Sequence, residues 1–200
     1  MTCHNGNDIG WLARINPQPH VAGGMPAPRG WLEAERVIYD HELVLFDGES
    51  FGLHVAGAEL SLAAPAFVIV PPGLRHVSWN AGSQAGHRRW VHFDWSYAGP
   101  RQPGLFTFLP GHVRAADFRP APEWVPRGII QGPVRNPVSA RNLHTRLCGL
   151  PAGGREDRLR AGPVLHELLP ALLLPGATSS PAVPPAALAE RARGLLAAEA

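Results

Sequence analysis

Apolar residues recur along this chain in two rhythms, and the change from one to the other divides it. From residue 31 to about 120 they come as short runs closed by turn residues. The run LVLF at 43–46 stops at Asp47-Gly48, FGLHV at 51–55 stops at Ala56-Gly57, and FVIV at 67–70 stops at Pro71-Pro72-Gly73. The run ELSL at 59–62 alternates polar and apolar, and 87–95 is a longer, aromatic-rich run. Strands at such intervals, with no helical pattern between them, predict an all-β sandwich or barrel and argue against a parallel α/β sheet.

Beyond residue 120 the period becomes helical. Asn136-Pro137 is a helix start, with asparagine as the cap and proline in the first turn. Leu143, Leu147 and Leu150 then share one face, and Gly153-Gly154 is the expected stop. A second helix is predicted over 158–174, with a broad stripe of Val164, Leu165, Leu168, Leu169, Leu172 and Leu173. Pro170 predicts a kink in it. The stretch PGATSSPAVPP reads as a linker, assigned to 176–185, and a last helix is expected over 186–198. Residues 1–30 show no sustained period and read as an extended arm, with one short strand near 11–15.

Composition narrows the class. The chain has 200 residues, 45% apolar and 17% charged, which suits a globular protein. A net charge of +2 does not mark a nucleic-acid binder, and the basic residues are all arginine, with no lysine. Cys3 and Cys148 match no metal-ligand spacing and are expected to be free thiols. The first residues lack the basic-then-apolar pattern of a signal peptide. The longest apolar run, at 168–174, is too short to span a membrane. The expectation is a cytoplasmic protein with no membrane partner.

The candidate chemistry gathers on two stretches. PPGLRHVSWN at 71–80 spells Pro-x-Gly-x2-His-x3-Asn. A Pro-Pro-Gly turn can reverse the chain sharply, and the strand after it carries His76 and Ser78 on one face, Val77 and Trp79 on the other. Along 87–95, alternation puts Arg88, Trp90, His92 and Asp94 on one face and Arg89, Val91, Phe93 and Trp95 on the other. A polar face with one large aromatic ring suits a small polar ligand, the ring stacking on it while Arg, His and Asp bond its hydroxyls or carboxylate. Plainer readings stand beside these: an Arg36–Asp40 ion pair, a His76 bond to a backbone carbonyl, and Trp90 and His92 as core or rim residues.

The 71–80 motif resembles the tail of the second cupin motif. The ordered set of Arg36, DHEL at 40–43, VIVPPGLRH at 68–76 and RWVHFD at 89–94 resembles the N-terminal effector-binding domain of AraC-type transcriptional regulators, over about residues 30–175. The resemblance implies a mainly β fold: a cupin-like double-stranded β-helix barrel over 31–120, then a C-terminal helical hairpin in a dimerisation segment at 121–175. It implies a small-molecule effector, sugar-like, held by Arg36, Arg88 and Trp90, with His76, Ser78 and His92 beside them and the arm of 1–30 closing over it. It also implies a homodimer through Leu165, Leu168, Leu169 and Leu172. Residues 186–200 look like the first helix of a truncated DNA-binding domain, so DNA would be read only through a helix-turn-helix that this chain does not complete. No catalytic residue and no cofactor are expected.

The competing reading is a stand-alone cupin enzyme acting on a sugar or small acid. Such enzymes need several convergent metal ligands. The strand 51–59, FGLHVAGAE, offers His54, but Ala56 stands where a second histidine is needed and Glu59 is one position short. Any metal would have to rest on His54, His76 and His92, with Asp94 as a substitute.

Overall fold

A computed structural model of the chain describes residues 10–96, 106–107, 113–150, 155–174 and 178–179. Two antiparallel sheets face one another. The first contains β1 (Gln18–Ala27), β3 (His41–Asp47), β6 (Ala66–Val70), β8 (Gly86–Asp94), β10 (Ile130–Pro133) and β11 (Thr178–Ser179), in the order β1-β8-β3-β6-β10-β11. The second contains β2 (Arg36–Ile38), β4 (Ser50–Val55), β5 (Ala58–Ala63), β7 (Arg75–Asn80) and β9 (Phe106–Thr107), in the order β5-β4-β7-β2-β9. Among the described residues the two sheets are hydrogen-bonded separately, so the expected barrel is an open two-sheet arrangement.

Burial explains the strand sequences. Six successive residues of β3, His41 to Phe46, are buried, because both faces of the first sheet are covered. Its inward side chains Val44 and Phe46, with Val68 and Val70 of β6, pack against Phe51, Leu53 and Val55 of β4 and Leu62 of β5. Phe46 and Phe51 stack across the gap with ring centroids 4.5 Å apart. The outward side chains Leu43, Leu45, Phe67, Ile69, Val91 and Phe93 meet the two helices. β5 lies at a sheet edge and mostly exposes its residues, so AELSLA keeps a polar side.

Two turns fix how the strands enter the site. Gly73 adopts φ +81°, and its N–H donates to Ile38 O at 2.9 Å, so the Pro-Pro-Gly turn reverses β6 into β7 as predicted. Asn80, at the end of the same motif, donates to Ala27 O at 2.8 Å and Gln84 O at 2.9 Å and accepts from Gly82 N at 2.9 Å. One amide thereby ties the end of β1 to the turn before β8.

The helices follow the predicted pattern with shifted ends. In α1 (Pro137–Cys148) the Asn136 side chain accepts from Ser139 N, and Gly149, ahead of the expected stop, caps the end. α2 (Arg155–Leu173) runs through both Pro163 and Pro170. Leu165, Leu168, Leu169 and Leu172 are buried in the core that α1, α2 and the outer face of the first sheet share. The stripe was expected to pack on the barrel, to meet a second subunit, or to serve both contacts. The four leucines pack on the chain's own sheet, whose outward apolar face would otherwise lie in water.

The arm also differs. The segment near 11–15 is a 3-10 helix, Gly10–Arg14, and not a strand. Residues Gln18–Ala27 form a strand paired along β8, from Gln18↔Asp94 to Ala27↔Gly86. The pattern QPHVAGGMPA hid it: its glycines and prolines suit an edge strand, where half the backbone groups need no partner. Thr178 and Ser179, inside the expected linker, pair with β10. The helix expected over 186–198 lies outside the described residues. No helix among the described residues is long and apolar enough to cross a membrane.

Leu168→Ala should cost about 2–5 kcal/mol, and Leu159→Ala, at a residue 67% exposed, should stay within about 0.5 kcal/mol. Urea unfolding of both variants checks this. A Leu168→Ala loss that vanished on dilution would place that leucine between subunits.

Candidate functional site

β3 changes character along its inward face, from Glu42 to Val44 to Phe46, so the gap between the sheets has a polar end and an apolar end. Register decides who meets Glu42. Glu42 pairs with Val70 on β6 and with His92 on β8, while Arg36 on β2 pairs with His76 on β7. Residues directly opposite in an antiparallel pair share a face. His92, His76 and Arg36 therefore all project into the gap.

Arg36 Nη2 donates to both Glu42 oxygens, at 3.0 Å to Oε1 and 2.7 Å to Oε2. Arg88 Nη2 reaches along the strand and donates to Oε1 at 2.8 Å. His76 Nε2 stands 3.4 Å from Oε2 and His92 Nε2 stands 3.7 Å from Oε1. Both imidazoles are oriented through the other ring nitrogen: His76 Nδ1 donates to Leu74 O at 2.9 Å, and His92 Nδ1 to Asp40 Oδ1 at 2.8 Å. A second carboxylate, Glu33, accepts from Ser78 Oγ at 2.7 Å, lies 3.2 Å from Arg88 Nη2, and pairs with Arg36 Nη1. Trp90 supplies the aromatic wall, with the Arg88 guanidinium 5.1 Å from its ring centroid. Its ring lies over Gly23 of β1, where a Cβ would approach within 2.6 Å, so any larger residue there would push the tryptophan aside.

A second chain of charges runs beside the first. His20 Nε2 lies 2.9 Å from Asp94 Oδ2, which also accepts from Arg119 Nη1 at 2.9 Å, and it lies 4.0 Å from Asp40 Oδ2. Asp40 is thus the link between the His92 side of the site and the Asp94 side.

The charges set one another. Burial alone would push the Glu42 carboxyl up, but the guanidinium groups of Arg88 and Arg36 foremost, with the His76 and His92 rings turned toward it, hold it well below the usual carboxylate range. Burial works against the Arg36 guanidinium too, yet Glu42 and Glu33 raise its pKa above the ordinary value. Asp94 is held low by His20 and Arg119 against the opposing effect of its burial. His41 differs: it faces outward against Phe93 and Trp95, both ring centroids 5.7 Å away, and burial pushes it down to about 3, with Asp94 opposing only weakly.

Face alternation placed His76 with Ser78 and Arg88 with Trp90 and His92, the family resemblance added Arg36, and the structure brings all six into one region. Their roles differ from a set of groups open to a ligand. Arg36 pairs with Glu42 and Glu33 rather than with Asp40, and His76 does make the backbone bond of the plainer reading. Sequence reasoning missed Glu42 and Glu33 as the anions of the site. Glu42 left a signal, a carboxylate at an inward position of an otherwise apolar strand. Glu33, in a connection with no period, left none.

The fallback metal set does not assemble. His54 opposes Val77 on β7, and both sit on the outer face of the second sheet, so His54 is exposed while His76 points inward. Ala56 lies beyond the end of β4 at φ +53°, in the hairpin turn, so a ligand at that position would not project from the strand. The metal that cupin enzymes use also does not fit Glu42, whose two oxygens already accept three guanidinium hydrogen bonds. Among the described residues, no group of three or more His, Cys, Asp or Glu is arranged to hold a metal ion.

Glu42→Ala leaves two buried guanidinium groups with one carboxylate and should cost about 3–5 kcal/mol in chemical unfolding. Acid should destabilise the protein in two stages. The unfolded chain protonates His41 near 6.5 and the folded chain does not until about 3, so stability falls as pH drops across that window, by up to about 1.4 kcal/mol per pH unit. The contribution of Glu42 is complete above the carboxyl range and lost only as pH falls below it. His41→Phe should flatten the loss that begins above the carboxyl range and leave the loss at lower pH, read from unfolding midpoints between pH 7 and about 2.

No protein-family model matches the chain, and no curated protein matches it. Solved structures that resemble it include the cupin domain of Schizosaccharomyces pombe Cnp3, at 18% identity and a TM-score of 0.34, covering 36% of this chain and 53% of that one. A cupin 2 conserved barrel domain protein from Salinispora arenicola matches at 19% identity and 0.34, covering 42% of this chain and 76% of its own. A recombinant oxalate oxidase in complex with glycolate matches at 17% and 0.35, covering 45% and 46%. The chain thus spans about half the length of the first and last of these. Likeness at that level carries no argument about activity, and the architecture rests on strand order and register.

Proposed function

We propose that the polar end of the gap binds a small, sugar-sized effector and that the chain is the effector-binding and dimerisation part of an AraC-type transcriptional regulator. The observation that carries the binding reading is the convergence of six side chains from three strands, Arg36 of β2, His76 and Ser78 of β7, and Arg88, Trp90 and His92 of β8, beside one aromatic wall. Such a cluster is expensive to bury and does not serve packing. Arginine and histidine donors next to a tryptophan face suit a ring with hydroxyl or carboxylate substituents. The regulator reading is supported by the ordered set Arg36, DHEL, VIVPPGLRH and RWVHFD. The chain senses its ligand and does not transform it. A second subunit would have to use surfaces other than the buried leucines of α2, and exposed Val138 and Leu159 on the two helices are the apolar candidates.

A thermal-unfolding screen against sugars and small organic acids tests the binding. A true effector at 100 times its dissociation constant should stabilise by about 2.7 kcal/mol. Trp90→Ala should fold and lose most of that shift. No shift with any class would remove the effector reading, consumption of the ligand during the assay would replace it with an enzyme, and a monomer at micromolar concentration by light scattering would remove the dimer.

A further inference from the structure

We propose that the effector is a small carboxylic acid and that the Glu33 carboxylate is the chain's own stand-in for it, displaced when the acid binds. The inference rests on the effector-binding reading above and names the chemistry of that same site. Glu33 belongs to no strand. It lies between β1 and β2, and its neighbours Leu32, Ala34 and Glu35 are exposed. Its backbone N–H donates to Ser78 O at 2.9 Å, which anchors this connection at the mouth of the gap. From there one carboxylate engages donors of three strands: Ser78 Oγ at 2.7 Å, Arg88 Nη2 at 3.2 Å, and Arg36 Nη1.

Charge selects the ligand class. Arg36 and Arg88 bring two fixed positive charges into the gap, and Glu42, rooted in β3 and 1% exposed, supplies one negative charge. Glu33 supplies the other. A neutral molecule that displaced Glu33 would leave a buried guanidinium charge uncompensated, and an acid that entered without displacing it would face two carboxylates. An acid that takes its place exchanges charge for charge and can keep one oxygen between the two guanidinium groups and the other on Ser78 Oγ. Of the groups in this contact Glu33 is the most exposed, at 13% of its side chain, against 4% for Arg36 and 3% for Arg88, so it sits on the solvent side where a ligand arrives. A further donor is ready for the rest of such a ligand: Arg88 Nε is buried with no hydrogen-bond acceptor among the described residues, beside the Trp90 ring.

Chemical rescue tests the idea without knowing the natural acid. In Glu33→Ala, sodium acetate should raise the unfolding temperature by several degrees over matched sodium chloride and over neutral acetamide, while leaving the wild type unmoved. Acetate that acts no differently from chloride on this variant would overturn the proposal. If Glu33→Ala does not fold, Glu33→Gln, which keeps the shape and drops the charge, decides. Its ratio of galacturonate to galactose affinity by calorimetry should exceed that of the wild type at least tenfold, and an unchanged ratio would overturn the proposal. Neutral sugars that bind the wild type with no preference for their acids would keep the effector reading and remove this one. Acetate rescue with no binding of any larger ligand would keep the carboxylate site and remove the regulator reading.

Discussion

Arg36 and Arg88 carry their charges into a gap between two sheets, where water cannot solvate them, and Glu42 is what makes that position tolerable. Three guanidinium hydrogen bonds to one carboxylate offset part of the cost of burying all three groups. The arrangement constrains the fold around it. Glu42 must face inward, so β3 cannot slip by one residue without driving Glu42 into the helices and His41 and Leu43 into the gap. That register in turn sets His92 opposite Glu42, and the Arg36–His76 pairing across β2 and β7 closes the cluster from the second sheet.

The first sheet is the element everything else covers. Its inward face is split between charge and aliphatic packing, and its outward face is wholly apolar in the middle, which is why two helices are needed over it. This also explains why the leucine stripe of α2 is so broad. Val164 with Leu165, Leu168 with Leu169, and Leu172 with Leu173 serve one contact, filling a wide groove between α1 and the sheet. A stripe of that width looks from sequence like two surfaces, one for the chain and one for a partner. Only the burial of every member shows that the chain uses them all.

The same cluster that stabilises the polar end is the basis of the proposed binding site. Two arginines are held there by one rooted carboxylate, Glu42, and one loop carboxylate, Glu33. His76 and His92, each locked through Nδ1, turn their Nε2 atoms toward Glu42 without reaching a tight bond.

How much of this was legible depends on whether the physics was local. The strand over 43–46, the Pro-Pro-Gly reversal and the Asn136 cap are written in residues adjacent in the chain, since turns, caps and alternation act over two to four positions. The inward faces of β7 and β8, and so five of the six candidate residues, followed from the same alternation; Arg36 of β2 came from the family resemblance. The strand Gln18–Ala27 was hidden because its glycines and prolines give no period, and its order comes from pairing with β8 some seventy residues away. The partners of the arginines were hidden for a like reason. Which carboxylate meets Arg36 depends on the register of four strands and on a connection that carries Glu33 to the mouth of the gap. The sequence by itself determined which side chains point inward, because side-chain direction is a property of the local backbone. Only the tertiary structure decided which of them meet, because charges buried together must be neutralised by whatever the folded register brings within reach.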